Sequence, residues 1–443
     1  MHWKIGTLAF AHEYQSATGV IMDDRSEGIF AGVRVLEIGL FVAGPYAGEL
    51  LAHGGADVIK IEPITGDATR WNSTIVHGEG RHYIIKARGK RGAPINLRHP
   101  EGRKVVRELA LRSDVLISNM RPGALNRLGL DYETLSAENE RIIVAEISAM
   151  GEAGPFGMHL GADFQAAAAS GLAMSTANFE GDEPQILDAY LCDFHAGTLL
   201  AFGIAGALYQ REFTGRGQHV RTSLYQAGIS LQHATANLFD AVDGWKREFA
   251  DWMEQERPHP SDAAKRRREQ AALIVGGLYE TRDGHWITLG SSRLAYERLL
   301  NALAIEDPSV SDPDWEVPDD PRAHFRSIQD QIREITLQHD GEALRDQMQA
   351  AGVPCALLSS LEEALLSEHA RANDYVHSFD HPAVGPVLLP QAPLKFSRGR
   401  YKAATTTPAF GEDLRDVLIE LGLDNAAIDE LIECGAVAEE LLE

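Results

Sequence analysis

The stretch over 33–148 constrains the fold more than any other part of the chain, because it alternates short β-branched apolar runs with helical segments. Residues 33–38 (VRVLEI) end at Gly39, and 43–55 (AGPYAGELLAHGG) predict a helix with Pro45 in its first turn and glycines past its end. A second strand is expected over 56–62 (ADVIKIE). The pattern recurs as a helix over 100–112, a strand over 114–119, a helix around 125–137 and a strand over 141–148. Near-continuous apolar strands joined through helices imply a parallel sheet covered on both faces, hence a doubly wound α/β domain. Ligands of such sheets bind outside the carboxyl ends of the strands, so the segments beginning at Gly39, Pro63, Asn119 and Ser148 should line one rim. No GxGxxG follows the first strand, which disfavours a dinucleotide cofactor.

Beyond this region, 162–171 (ADFQAAAASG) is a small-residue stretch suited to close helix packing, and 197–209 predicts an apolar helix. The charged segment 243–270, with KRRR at 265–268, reads as an exposed connection near which the domain changes. Residues 278–290 (LYETRDGHWITLG) read as a hairpin turning at Asp283 and Gly284. Helices follow, then a Pro/Asp-rich loop over 307–321, a helix from Leu361, a strand pair within 381–390 and a last helix over 413–423.

At 443 residues the chain is too long for one small core. Its 44% hydrophobic content is that of a globular protein, and no uninterrupted apolar run approaches the roughly 20 residues that span a bilayer, so a soluble chain without a membrane partner is expected. The net charge of −24 argues against nucleic acid as a partner. Three separated cysteines, Cys192, Cys355 and Cys434, with no CxxC spacing, suit a reducing cytoplasm, and the N-terminus lacks the charged-then-apolar order of a secretory signal. The acidity has one exception. Between Arg81 and Arg112 there are ten basic residues (Arg81, Lys86, Arg88, Lys90, Arg91, Arg98, Arg103, Lys104, Arg107, Arg112) against Glu101 and Glu108. Such an island is either a solvated surface or a seat for a small polyanion.

The 17 histidines show no HExxH spacing, so no metal is expected, and the absence of GxSxG disfavours a serine hydrolase. Asp193 in YLCDFHAGT stands out as a charge between apolar neighbours before a long apolar helix. It suits a helix N-cap, and it also suits a nucleophile next to backbone N–H donors that would stabilise an oxyanion. Asp163 has the same ambiguity, with the cap or turn favoured.

Three long motifs then carry a resemblance: 32–63 (GVRVLEIGLFVAGPYAGELLAHGGADVIKIEP), 113–135 (SDVLISNMRPGALNRLGLDYETL) and 214–227 (TGRGQHVRTSLYQA). The chain resembles the class III coenzyme A transferases, a family that includes the α-methylacyl-CoA racemases and the formyl-CoA and carnitine CoA transferases, over 32–437. The resemblance implies an interlocked-ring homodimer of α/β chains. Each would have an extension over 1–31, a Rossmann-like CoA-binding domain over 32–225, a linker and small α+β domain over 226–360, and a segment over 361–443 returning to the large domain. It implies no prosthetic group, metal or ATP, with acyl-CoA and a carboxylic acid as substrates. Carried over by motif, the CoA contacts are Val42, Ala43, Pro63, Lys90, Asn119, Met120, Ala124, Arg127, Leu128, Ser148 and Met150, with Arg127 and Lys90 facing phosphates. The catalytic aspartate falls on Asp193, which favours catalysis over capping. An acyl-CoA racemase and a catalytically silent CoA-binding homologue are the alternatives. Ala162 stands where the racemases resembling this chain carry a histidine, which argues against that branch, although His159 or His195 would be substitutes. No glycine run like that of formyl-CoA transferase is present, Gly276 and Gly277 being nearest, which argues against formate as the acid.

Overall fold

The computed structural model describes residues 27–441 except 158, 181, 186, 188, 271–275, 291, 313 and 317–320, so residues 1–26 of the expected extension lie outside the described residues. The described residues form two compact units. One comprises those up to Leu172, those of 188–232 and those from Ser378 on, and the other those of Ala173–Leu187 and His233–His377.

The first unit is built on six strands, β1 (Arg34–Ile38), β2 (Asp57–Glu62), β3 (Arg91–Pro94), β4 (Val115–Ser118), β5 (Ile143–Ser148) and β6 (His219–Ser223). All neighbours are parallel, in the order β6-β5-β4-β1-β2-β3. Read from β3 this is the doubly wound 3-2-1-4-5-6 arrangement, and the chain reverses direction across the sheet between β1 and β4. Seven helices position the site: α1 (Ala43–His53), α2 (Arg81–Lys86), α3 (Pro100–Leu111), α4 (Ala124–Leu128), α5 (Asp163–Ala169), α6 (Leu191–Thr214) and α7 (Leu224–Leu231).

Strands of this sheet are apolar on both faces because both are covered. Leu36, Ile59, Leu116 and Val144 share one core with Val106 and Leu109 of α3 and with Leu414, Leu418 and Ile428 of the C-terminal helices. Each such side chain contributes about 1.5–3 kcal/mol on burial. The opposite face carries α1 and α6, which pack closely on each other. A Cβ on Gly197 of α6 would lie 2.7 Å from the Ala43 carbonyl oxygen, so only glycine permits this approach.

Local chemistry departs from the expectations at several places, and at the C-terminus the helix expected to be last, Leu414–Glu420, is followed by another, Asn425–Glu433, which Asp424 caps through the Ala427 N–H. The helix expected over 125–137 is two short helices, because Gly129 takes a left-handed φ of 68° after α4 and Asp131 then caps Tyr132–Ser136 through the Thr134 N–H. The expected connection over 243–270 is instead the helices Gly244–Glu256 and Pro260–Gln270, since Lys, Arg, Glu and Ala favour helix whatever their charge. Finally, α6 runs 24 residues and, by length and composition alone, could cross a membrane, although Asp193, His195, Arg211 and Glu212 interrupt its apolar sequence. Its ends are fixed within the fold: Asp163 accepts the Asp193 N–H, and Arg211 pairs with Asp114 at 2.9 Å. A stripe of α6 with Phe202, Tyr209 and Phe213 remains exposed.

The second unit holds the expected hairpin, Gly277–Glu280 with Trp286–Leu289, to which Cys355–Leu357 adds a third strand. Its core is Tyr279, Ile287, Leu299, Ile332, Leu344 and Met348.

Candidate active site

A cavity of about 1010 Å³ opens where the sheet reverses, lined by Gly39, Pro63, Asn119 and Ser148 at the carboxyl ends of β1, β2, β4 and β5. This is the rim that the strand pattern indicates. Asn119 bridges the crevice. Its Oδ1 accepts from the Leu40 N–H at 3.0 Å and its Nδ2 donates to the Leu40 carbonyl at 2.7 Å, so the amide fixes the loop after β1. The next residue, Phe41, holds a φ of 64° with its ring 53% exposed at the cavity, a strained position of the kind that concentrates at functional sites.

Asp193 lines the same cavity from the first turn of α6 and is only 9% exposed. It is the third residue of that helix, and Tyr190 occupies the N-cap with a left-handed φ of 45°. Tyr190 is held between Phe164, stacked at 5.6 Å, and His82, edge-on at 6.3 Å. The carboxylate that caps α6 is Asp163, whose Oδ1 accepts from the Asp193 N–H at 2.8 Å. The sequence alternatives for the two aspartates thus separate: Asp163 is the cap, of α6 rather than of its own α5, and Asp193 has its carboxyl free of any hydrogen bond among the described residues. Burial first, and then the charge of Asp163, push the Asp193 carboxyl up to about 7, with Lys86 acting the other way. The neighbouring Cys192 thiol is pushed up to about 12 by burial and by both aspartates, which keeps it protonated and inert.

Of the contacts implied by motif, Ala43, Pro63, Asn119, Met120, Ala124, Arg127, Ser148 and Met150 line the cavity together with Asp193. Val42 is buried ahead of α1 and Leu128 packs on the core below α4, and neither lines it. Lys90 does not face the cavity either. Its ammonium is buried, donating to Glu37 at 2.7 Å and to the Pro45 carbonyl at 2.6 Å, because the buried acid in the middle of β1 requires a cation. The basic island as a whole is mostly structural in this way. Arg88 pairs with Glu49, Arg91 with Asp57 and Glu420, Lys104 with Glu101, and Arg107 with Glu138.

One member of the island does reach the cavity. Arg98, with Arg121 and Arg127, lines it, and none of the three guanidinium groups makes a side-chain hydrogen bond or ion pair among the described residues. Arg98 and Arg121 are not among the contacts implied by motif. Their signal lies in topology, since Arg98 follows β3 by four residues and Arg121 follows β4 by three. His159 also lines the cavity. Three unpaired guanidiniums beside a buried, hydrogen-bond-free carboxylate suit a ligand with several phosphates at one end and an electrophile at the other.

Known proteins resemble this chain along most of its length. The family model described as CoA-transferase family III matches residues 30–414. Cinnamoyl-CoA:phenyllactate CoA-transferase of Clostridium sporogenes is 31% identical over 425 residues, covering 92% of this chain and 97% of that protein. Formyl-CoA:oxalate CoA-transferase of Streptomyces avermitilis is 29% identical, covering 92% and 98%. Among solved structures, a CAIB/BAIF family protein from Brucella suis superposes with a TM-score of 0.67 at 25% identity, covering 89% and 99%. The hypothetical protein Rv3272 from Mycobacterium tuberculosis superposes with a TM-score of 0.70 at 22% identity, covering 87% and 98%. With its doubly wound sheet, its buried aspartate and these relatives along nearly its whole length, the chain belongs to CoA-transferase family III and is a CoA-transferase.

Proposed function

We propose that this enzyme moves coenzyme A from an acyl-CoA donor to a carboxylic acid acceptor through covalent intermediates on Asp193, with the phosphates of CoA held by Arg98, Arg121 and Arg127. The observation that carries the reading is the placement of Asp193 in one cavity with three guanidinium groups that lack a partner among the described residues.

The Asp193 carboxylate attacks the donor thioester carbonyl, the C–S bond breaks, and a mixed anhydride and CoA thiolate result. The thiolate then attacks the aspartyl carbonyl, releasing the donor acid and leaving an aspartyl-CoA thioester. The acceptor carboxylate attacks that thioester and expels the thiolate, which takes the acceptor acyl group and regenerates the aspartate. No net proton is consumed, so the chemistry rests on positioning and on keeping water from the two activated aspartyl species. The relatives' names span cinnamoyl, succinyl and formyl donors, so a donor panel for this enzyme includes all three acyl types.

The exposed stripe Phe202, Tyr209 and Phe213 on α6, with Ile229 and Leu231 of α7, supports a second copy of the chain as its cover, as in an interlocked homodimer. The three cysteines are free thiols, consistent with a reducing cytoplasm. The test is intact-protein mass spectrometry during turnover with a panel of acyl-CoA donors, followed by peptide mapping. An adduct on Asp193 that disappears on adding an acceptor acid is the expected result. Full activity of D193N, or turnover with no adduct under hydroxylamine trapping, would remove Asp193 as nucleophile.

A further inference from the structure

Three cations of the basic island are buried: Lys86, Arg88 and Lys90. Arg88 contacts Glu49 at 2.7 Å and Lys90 contacts Glu37 at 2.7 Å. Lys86 is 4% exposed and makes no hydrogen bond or ion pair among the described residues. A cation on a side chain this buried, with no partner in contact, is disfavoured, and a fold keeps such a group where function requires it.

The acids around Lys86 identify its role. Burial pushes the Lys86 ammonium down to about 8, so it is still charged where Asp193 titrates; Asp67, Asp193 and Glu49 act against that burial, and Lys90 acts with it. Asp67 already has its cation, Lys60 at 2.8 Å, and Glu49 has Arg88. Among the described residues, Asp193 has none in contact. Asp163, on α5, adds a second negative charge, and its oxygens are directed to the N-terminus of α6. The elements bring the remaining pair together. The ring of His82 on α2 meets the ring of Tyr190, the residue at the N-cap position of α6. Lys86 is one turn further along α2 from His82, and Asp193 is three residues into α6 from Tyr190.

On the reading that Asp193 is the nucleophile, we infer that Lys86 is its counter-ion, a positioning residue that keeps the buried carboxylate ionised against Asp163 without occupying its oxygens. A cation in hydrogen-bond contact would tie up the attacking lone pairs, whereas one held beyond contact supplies field alone. The same field would favour a second carboxylate, the departing or entering acid, while Asp193 is acylated and uncharged.

The test compares the wild type with K86M, K86Q and K86R, following the single-turnover rate of Asp193 adduct formation by intact mass from pH 5.5 to 9. The rate should rise with pH as Asp193 ionises. In K86M and K86Q that rise should move to higher pH by about one unit, which lowers the rate at pH 6.5 roughly tenfold while the high-pH plateau is largely kept, and K86R should restore the wild-type profile. An unshifted rise in K86M or K86Q, or a loss uniform across pH that K86R does not repair, would overturn the assignment. Carbon-13 NMR titration of the Asp193 carboxyl in wild type and K86Q needs no turnover, so it decides the inference even if no adduct forms. An equal midpoint in the two proteins would sink the inference, and a missing wild-type adduct would sink only the covalent mechanism.

Discussion

The backbone N–H of Asp193 donates to Oδ1 of Asp163 at 2.8 Å, so one acid fixes the helix turn that presents the other. Asp163→Asn keeps an acceptor for that N–H and removes the charge. Because burial and then Asp163 hold the Asp193 carboxyl up near 7, the neutral neighbour should shift the acid limb of kcat/KM to lower pH by about half to one unit, with the melting temperature little changed. Asp163→Ala also removes the cap and should cost about 1–2 kcal/mol of stability in chemical denaturation. An acid limb that stays in place in D163N would show that the two carboxylates are not coupled.

A nucleophile kept this way destabilises its own fold. The folded-state Asp193 carboxyl titrates near 7, above its ordinary value of 3.8, so the folded protein binds the proton more tightly than the unfolded chain. The penalty is therefore absent below about pH 4, grows as pH rises towards 7, and is complete above it, reaching on the order of 4 kcal/mol for a shift of about three units. Asp193→Asn should accordingly be inactive yet more stable than wild type at pH 8, with the gain vanishing near pH 4. Denaturant midpoints at the two pH values check this, and an equal effect at both would refute it.

The sheet and its ligand rim are legible in the sequence because strand hydrophobicity and helix punctuation are local signals. The strand pattern alone assigns Gly39, Pro63, Asn119 and Ser148 to one edge. The partners of charged residues are not legible. Lys90 and Arg98 lie eight residues apart in the same basic island, and only the fold shows that one answers Glu37 beneath α1 while the other reaches the cavity. The split of 125–137 is hidden for a different reason: Gly129 and Asp131 are present, but the helical periodicity on either side masks a break of three residues.

That distinction between Lys90 and Arg98 can be measured. Arg98→Ala, Arg121→Ala and Arg127→Ala should each raise KM for the acyl-CoA about 10- to 100-fold with a smaller change in kcat, since each removes a charge-assisted contact to a phosphate. At least one should lose its effect when 3′-dephospho-CoA thioesters replace the natural ones. Lys90→Met should instead leave KM for CoA nearly unchanged and lower stability by about 3–5 kcal/mol, because Glu37 would lose the closer of its two buried cations. A large KM effect in K90M with unaltered stability would return Lys90 to the ligand.

The approach of α6 to α1 sets the position of the nucleophile. Gly197 is one turn beyond Asp193, and a methyl group there would meet the Ala43 carbonyl oxygen at 2.7 Å and Tyr46 at 3.0 Å. Neither neighbour can yield easily. Ala43 begins α1 at the cavity, and the Tyr46 ring packs edge-on against Phe194 at 4.8 Å. Gly197→Ala must therefore push the two helices apart, at a cost of about 1–3 kcal/mol. A displacement of even about one ångström at Asp193 should lower kcat by about two orders of magnitude. Gly244 begins the helix Gly244–Glu256 of the other unit, and a methyl group added there would meet nothing within 4 Å, so Gly244→Ala is the control. It should be neutral or slightly stabilising through helix propensity, with activity retained. The pair separates helix contact from helix propensity, and equal behaviour of the two variants would show that the α1–α6 contact does not position Asp193.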